Sequence, residues 1–438
     1  MTGQVVSGPA RNETGAPAAG PSTVSGRSWW MLTLLIAIHT CNWMDRYVAT
    51  ILIEPMKHDL GLSDTDLGLL TGLGFSLVYS LTALPIARMV DNGSRKLLLS
   101  GFVGAWSAAT MLASTAAGFA GLAATRVVVA ASESGCSPTA YSLISDSFPG
   151  RLRGRAVSLY ALGVPFGAWA GLALGGVVND RYGWRSAFLV IGAPGLLLAA
   201  VTLLWMREPV RGAHDLAGMG SRPFTLAEAF VSLQRNRSFV LSCASIGLLA
   251  ITTSSFQGWA PTHLIRTQGL SSGSVGTLAG MLSGVGGIVA ALGVGFLADR
   301  LARRDPRWYF RLPMIGAAVL IPAEQMFLRS TGSLSFVWYF ITVLAGGTYV
   351  APLFTLCQLL LPPRIRALGS AVMLLVINLV GMGGGILAAG VLSDLLQRAG
   401  IADPLGRALQ LLQVGAVLGI GTLALGAMQV RHDAPDIR

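Results

Sequence analysis

Twelve runs of about twenty apolar residues, joined by short polar stretches, fill most of this 438-residue chain. They lie near 29–53, 66–88, 97–119, 121–146, 155–178, 185–206, 238–262, 275–298, 309–329, 334–358, 366–391 and 408–429. Runs of that length match the hydrocarbon core of a bilayer. Inside lipid every backbone N–H and C=O must pair within the protein, so such runs fold as helices unless strand-sized alternation points to a barrel. No such alternation is present. Charged residues make up 12% of the chain and hydrophobic residues 53%, with mean hydropathy +0.63, whereas a soluble domain carries about 25% charge. The expected fold class is an all-α membrane protein with twelve transmembrane helices.

A charged signature is written twice, each time at the end of an apolar run. The first copy is Ala87-Arg88-Met89-Val90-Asp91-Asn92-Gly93-Ser94-Arg95-Lys96 and the second is Gly295-Phe296-Leu297-Ala298-Asp299-Arg300-Leu301-Ala302-Arg303-Arg304. In both, a small residue stands four before the aspartate and a basic pair four and five after it. Phe148-Pro149-Gly150-Arg151-Leu152-Arg153-Gly154 is echoed by Leu361-Pro362-Pro363-Arg364-Ile365-Arg366-Ala367, and Asp180 by Asp394. Three matches at nearly one offset imply two parallel six-helix halves with a site between them. The halves are expected at 29–206 and 238–429, with a polar linker at 207–237 that has no evident amphipathic helix. Residues 1–28, rich in Gly, Pro, Ala, Ser and Thr, read as a disordered tail, and 430–438 as a second tail.

The net charge of +11 is distributed unevenly. If the N-terminus is cytoplasmic, 22 of the 31 Lys and Arg residues fall on the cytoplasmic side, which satisfies the positive-inside rule and puts both termini there. Nucleic-acid binding is not needed to explain the charge. The four cysteines sit inside apolar runs without ligand-like spacing and read as small buried hydrophobes. No Gly-rich phosphate loop, nucleophile elbow or metal-ligand cluster appears, so neither an enzyme, a cofactor nor a metal is expected.

The doubled loop resembles the cytoplasmic loop motif of the major facilitator superfamily. Asn42-Trp43-Met44-Asp45-Arg46-Tyr47-Val48, Leu62-Ser63-Asp64-Thr65, Ser132-Glu133-Ser134-Gly135 and Ser137-Pro138-Thr139-Ala140-Tyr141-Ser142-Leu143-Ile144-Ser145-Asp146 resemble its Spinster-like branch. The resemblance implies a secondary active transporter of the major facilitator fold, working by alternating access. It also implies lysolipids or sphingoid-base phosphates as the substrate class. By the same analogy Asp91 approaches the start of the eleventh span and Asp299 the start of the fifth. Arg95, Lys96, Arg300, Arg303 and Arg304 then reach acids such as Asp146, or anionic lipid, as a gating latch. The first copy departs from the pattern with Ala87 for Gly and Asn92 for a basic residue.

Ionisable groups inside a membrane are costly and default to functional candidates. They are Asp45 and Arg46 in the first span and Arg126 and Glu133 in the fourth. Arg126 and Glu133 are about two turns apart and share a face, and the helix-one pair lies at a depth between them. Asp45 and Glu133 are the candidates for proton coupling, with Arg46 and Arg126 holding the acids ionised or binding an anionic head. The resemblance favours the Arg46–Glu133 pair. Glu324 in the ninth span, with Arg329 five residues on, is expected to snorkel to the outer interface. In the second half the substrate-binding candidates are the neutral Gln257, Tyr349 and Asn378. Gly163, Gly167, Gly171 and Gly175, like Gly276, Gly280 and Gly284, form four-residue rows that let backbones approach. Pro165 and Gly381–Gly385 offer bends.

The leading expectation is therefore a proton-coupled transporter of an amphipathic or lipid-like anion. It would act as a monomer in a bacterial inner membrane, with protons and membrane lipids as its other partners. A symporter of small organic or sugar acids is the alternative within transport. From another class comes a membrane solute sensor that moves nothing.

Overall fold

A computed structural model describes residues 25–211, 226–362 and 364–433. Most of the first tail (1–24), the middle of the linker (212–225), Pro363 and the last five residues (434–438) lie outside the described residues. All twelve expected spans are helical. Among the described residues eight helical runs are long and apolar enough to cross a bilayer, and one of them, Gly150–Trp205, holds two spans folded back at Gly183. There φ is +81°, a left-handed conformation that only glycine adopts without strain. The three remaining spans are Gly26–Ile51, the broken pair Phe119–Glu133 and Cys136–Ser147, and Trp308–Arg329. These are the spans that carry the intramembrane charges.

The linker departs from expectation. Leu226–Arg235 is an amphipathic helix in which Leu226, Phe230 and Leu233 recur at helical spacing. Leu233 is buried while Phe230 stays exposed. The density of Arg and Glu around it masks this short period in the sequence.

One buried core lies within each half, a third, which includes Met44, Leu172, Trp259 and Phe327, is shared between them, and the halves meet along two seams. At the first seam, spans two (Asp64–Asn92) and eleven (Arg366–Arg398) touch where both widen into π-helix, at Leu69–Leu73 and Val376–Gly385. Expected bending at Gly381–Gly385 takes this form. A Cβ on Gly72 would stand 3.0 Å from the Gly383 carbonyl, so the backbones are in contact. At the second seam, span eight (Ser272–Ala302) lies against span five. Cβ positions on Gly280 and Gly284 fall 2.9 Å from the Trp169 carbonyl and 3.2 Å from that of Pro165. The glycine row of span five faces span one instead, with Gly171 against the Met44 carbonyl and Gly175 against Val48.

Contact fails toward the end that carries the doubled signature. Gly150 and Gly154 of span five and Gly293 and Gly295 of span eight have nothing within 4 Å of a Cβ position. The bundle is thus closed at one end and open at the signature end.

Candidate functional site

Span one sets the site. His39, Asn42, Trp43 and Arg46 recur at helical spacing and share one stripe. Arg46 donates from Nε to Glu133 Oε2 at 2.8 Å. Its guanidinium carbon lies 4.9, 4.8 and 4.9 Å from the ring centroids of Trp43, Phe75 and Tyr79. Beside it, Arg126 Nη1 donates to Asp45 Oδ2 at 3.1 Å, and Thr110 of span three donates to Asp45 Oδ1 at 2.6 Å. The four charges are cross-paired between spans one and four. Each base neutralises the acid of the other helix, which is how low-dielectric surroundings tolerate them. Several buried polar atoms here have no hydrogen-bond partner among the described residues: Glu133 Oε1, Arg126 Nη2, Asn42 Nδ2 and His39 Nδ1. His39 stacks on Tyr160 at 4.2 Å between centroids.

The second half contributes less. Gln257 is exposed and its Oε1 meets the Tyr47 hydroxyl at 3.5 Å, linking the halves across the cleft. Asn378 turns its amide onto Leu374 O of its own helix at 2.9 Å. Tyr349 is buried in the second-half core and pairs with Thr253 at 3.1 Å, so it packs helices in this conformation. Glu324 does not snorkel: it is fully buried. The physical reason is side-chain direction. A helical side chain leans toward its own N-terminus, here away from the surface that Arg329 approaches.

The two signature copies differ. Arg95 is buried, bonds Asp146, and donates Nε to Glu208 Oε1 at 3.0 Å, Nη1 to Ser142 Oγ at 2.9 Å and Nη2 to Pro209 O at 2.8 Å. The backbone N–H of Lys96 reaches Glu208 Oε2 at 3.4 Å. Burial alone would raise the carboxyl of Glu208. Hydrogen bonds from Arg95, Ser94 and Lys96 outweigh burial and hold it below the ordinary carboxylate range. A depressed carboxyl contributes stability above its unfolded value and loses it as pH falls through the folded one. Glu208→Gln is therefore expected to lower stability by roughly 1–2 kcal/mol at neutral pH and to flatten the acid limb of a melting-temperature profile. In the second copy Arg300, Arg303 and Arg304 are exposed, and Asp299 lies beside the Tyr309 hydroxyl of its own half. Leu359 stands where an equivalent of Asp146 would be. Asp91 is exposed, and Arg211 takes its backbone carbonyl. Neither aspartate reaches the opposite half in this conformation, because the bundle is open at that end.

What sequence reasoning missed is the closed end. Asp64, fully buried, accepts two bonds from Arg266 at 2.7 Å each, one from Lys57 at 2.6 Å and one from Ser393 at 2.6 Å. Arg266 also donates to Glu54 at 2.6 Å. Asp394 of the second half accepts from the N–H groups of Asp64 and Thr65 at 3.1 and 2.8 Å, capping span two. Asp180 of the first half reciprocates on the N–H of Gly273 at 2.9 Å, capping span eight. A carboxylate at a helix N-terminus meets free N–H groups and the positive end of the dipole. The signal was in the sequence: Gly61-Leu62-Ser63 recurs as Gly269-Leu270-Ser271 at the same spacing as Asp91 and Asp299.

Three comparisons bear on this arrangement. The sequence profile of the Major Facilitator Superfamily matches residues 35–385. An MFS-type efflux pump of Mycolicibacterium smegmatis is 33% identical over 409 residues, covering 93% of this chain and 94% of the relative. Human protein spinster homolog 1 is 29% identical over 404 residues, covering 85% and 74%. Among solved structures, a bacterial homologue of the human lysosomal transporter Spinster, inward-facing and unoccupied, superposes with TM-score 0.86 at 26% identity, over 94% of this chain and 99% of that one. The twelve spans, their two-fold repeat and these likenesses agree: the chain is a multi-pass transporter that belongs to the major facilitator superfamily, in its Spinster-like branch.

Proposed function

We propose that this chain moves an amphipathic anion of the lysolipid or sphingoid-phosphate type by alternating access, coupled to protons. The resemblance to the Spinster branch supports that class, and the efflux-pump relative supports export as the direction. The observation that carries the reading is Arg46. A guanidinium boxed by three aromatic rings offers charge to a phosphate or carboxylate and apolar faces to the chain behind it. The bias of Lys and Arg toward the signature end supports a cytoplasmic location for that end and for both termini, in a bacterial inner membrane. A monomer suffices, since both halves of the site come from one chain.

Melting of the purified protein against lysolipids, sphingoid phosphates and small organic acids tests the substrate class. Stabilisation by the lipid-like anions is expected, and stabilisation by small acids alone overturns the reading. Coupling is assigned to Glu133 and Asp45. Glu133 is the acid that Arg46 would release when a substrate anion takes its guanidinium, and a released carboxylate in that setting takes up a proton. Glu133→Gln is expected to abolish dependence on a pH gradient in vesicles. Undiminished proton-driven uptake by that variant would count against Glu133 as the coupling site.

A further inference from the structure

Span nine buries a carboxyl for which the cleft has no use. Glu324 is fully buried and neither oxygen has a hydrogen-bond partner among the described residues. Facing it is Gln413, at the break where span twelve passes from Pro404–Leu412 to Val414–Asp433. The Nε2 of Gln413 is buried and equally unmatched. A donor and an acceptor therefore stand together without closing a bond of good geometry, an arrangement native interiors seldom leave unexplained.

Gln413 is not free to turn away. Its Oε1 accepts from Gln325 Nε2 at 2.7 Å, Gln325 Oε1 accepts from Gln410 Nε2 at 3.3 Å, and Gln410 Oε1 accepts from Arg407 at 3.0 Å. Arg407 is exposed at the closed end. Every donor in the series points inward, so the chain of amides presents its last N–H to Glu324. A guanidinium at its head polarises such a chain and strengthens that terminal donor. The carboxyl thus has a setting for each of its states. As a neutral acid it shares a helix face with the buried Leu320 and Phe327, and as an anion it has the Gln413 amide to accept from.

Among the described residues no other charged side chain is bonded to Glu324. Span ten brings Tyr339, bonded to Ser283, and Cys357. Span seven brings His263, 3.6 Å from Asp403, and Arg266, held by Glu54 and Asp64. Asp299 and Arg300 of span eight and Tyr309 and Arg311 of span nine lie at the open end. Arg329 lies five residues farther toward the closed end. Neither Glu324 oxygen has a hydrogen bond to any of these groups of spans seven to ten.

We propose that Glu324 is a proton-binding site of the second half, separate from the charge pairs of spans one and four, exchanging its proton from the closed end. Binding converts the carboxylate to the acid and loosens its claim on Gln413, so occupancy is read out in the packing of spans nine and twelve. The inference stands apart from the substrate proposed above, and its test needs no substrate.

Infrared difference spectra of the protein in lipid nanodiscs, taken across a pH titration, report the carbonyl stretch of protonated carboxylic acids. Wild type is expected to lose one such component as pH rises. That component should be missing in Glu324→Gln and retained in Glu133→Gln. Gln413→Leu, which keeps the carboxyl and removes its donor, should tighten proton binding about tenfold and move the midpoint up about one pH unit. Spectra of wild type and a normally melting Glu324→Gln that superimpose at every pH would overturn the proposal. If Glu324→Gln does not fold, a Gln413→Leu midpoint equal to that of wild type would do so.

Discussion

Arg46→Ala is expected to reduce transport by at least about a hundredfold and to remove stabilisation by an anionic ligand in melting experiments. Two effects add. The variant strips from the buried Glu133 its one hydrogen-bond partner among the described residues, and breaking a buried pair from one side costs about 3–5 kcal/mol. It also removes the cation from an aromatic box where each ring contact is worth about 0.5–2 kcal/mol. Arg46→Lys separates the two. It restores a charge near Glu133 but presents a compact ammonium in place of a plane that stacks on Trp43, Phe75 and Tyr79. An intermediate loss, on the order of tenfold, is expected for it. Equal, full activity of both variants would remove Arg46 from the site.

Arg266→Ala is expected to move the protein toward the conformation open at its other end. Arg266 is the cation through which the second half holds Glu54 and Asp64 of the first. Without it Asp64 keeps Lys57 and Ser393 but loses its bidentate partner in a fully buried position. A penalty of about 3 kcal/mol on the closed end shifts the balance of the two conformations roughly a hundredfold, since each 1.4 kcal/mol is a factor of ten. Spin-label distances across the seam between spans two and eleven would lengthen at that end and shorten at the signature end. Asp394→Asn should act in the same direction more weakly, because an amide oxygen still accepts from the N–H groups of Asp64 and Thr65. Unchanged distance distributions in Arg266→Ala would show that the ion cluster follows closure and does not hold it.

The fold was legible because its evidence is redundant. Twelve apolar lengths, a charged signature written twice and a second repeated loop all require one architecture. The intramembrane charges were legible as a group, since depth arithmetic put Asp45 and Arg46 between Arg126 and Glu133. Which acid meets which base depends on helix rotation and on Thr110 and Tyr79 from spans three and two, and spacing along one helix contains neither. Glu324 was misplaced because counting residues to Arg329 measures the depth of a Cα and not the direction of a side chain. Its glutamine partners are ordinary polar residues on another helix, visible only once spans nine and twelve are packed. The closed end was hidden for a related reason. Asp64, Arg266 and Asp394 lie more than 100 residues apart in sequence, and as separate residues they look like surface charges flanking spans.

The two seams do different mechanical jobs. Where spans five and eight meet, glycine lets carbonyls and Cα atoms touch, and the bond of Asp180 to the Gly273 N–H is the one directional contact described there, so the surface is close to a smooth bearing. Where spans two and eleven meet, directional bonds to Asp64 and Asp394 must all be released before the halves can part. Friction in the cycle is then concentrated on one side of the molecule. In the proposed cycle the rocking motion would be a pivot with a fixed axle, its speed set at the clasp opposite.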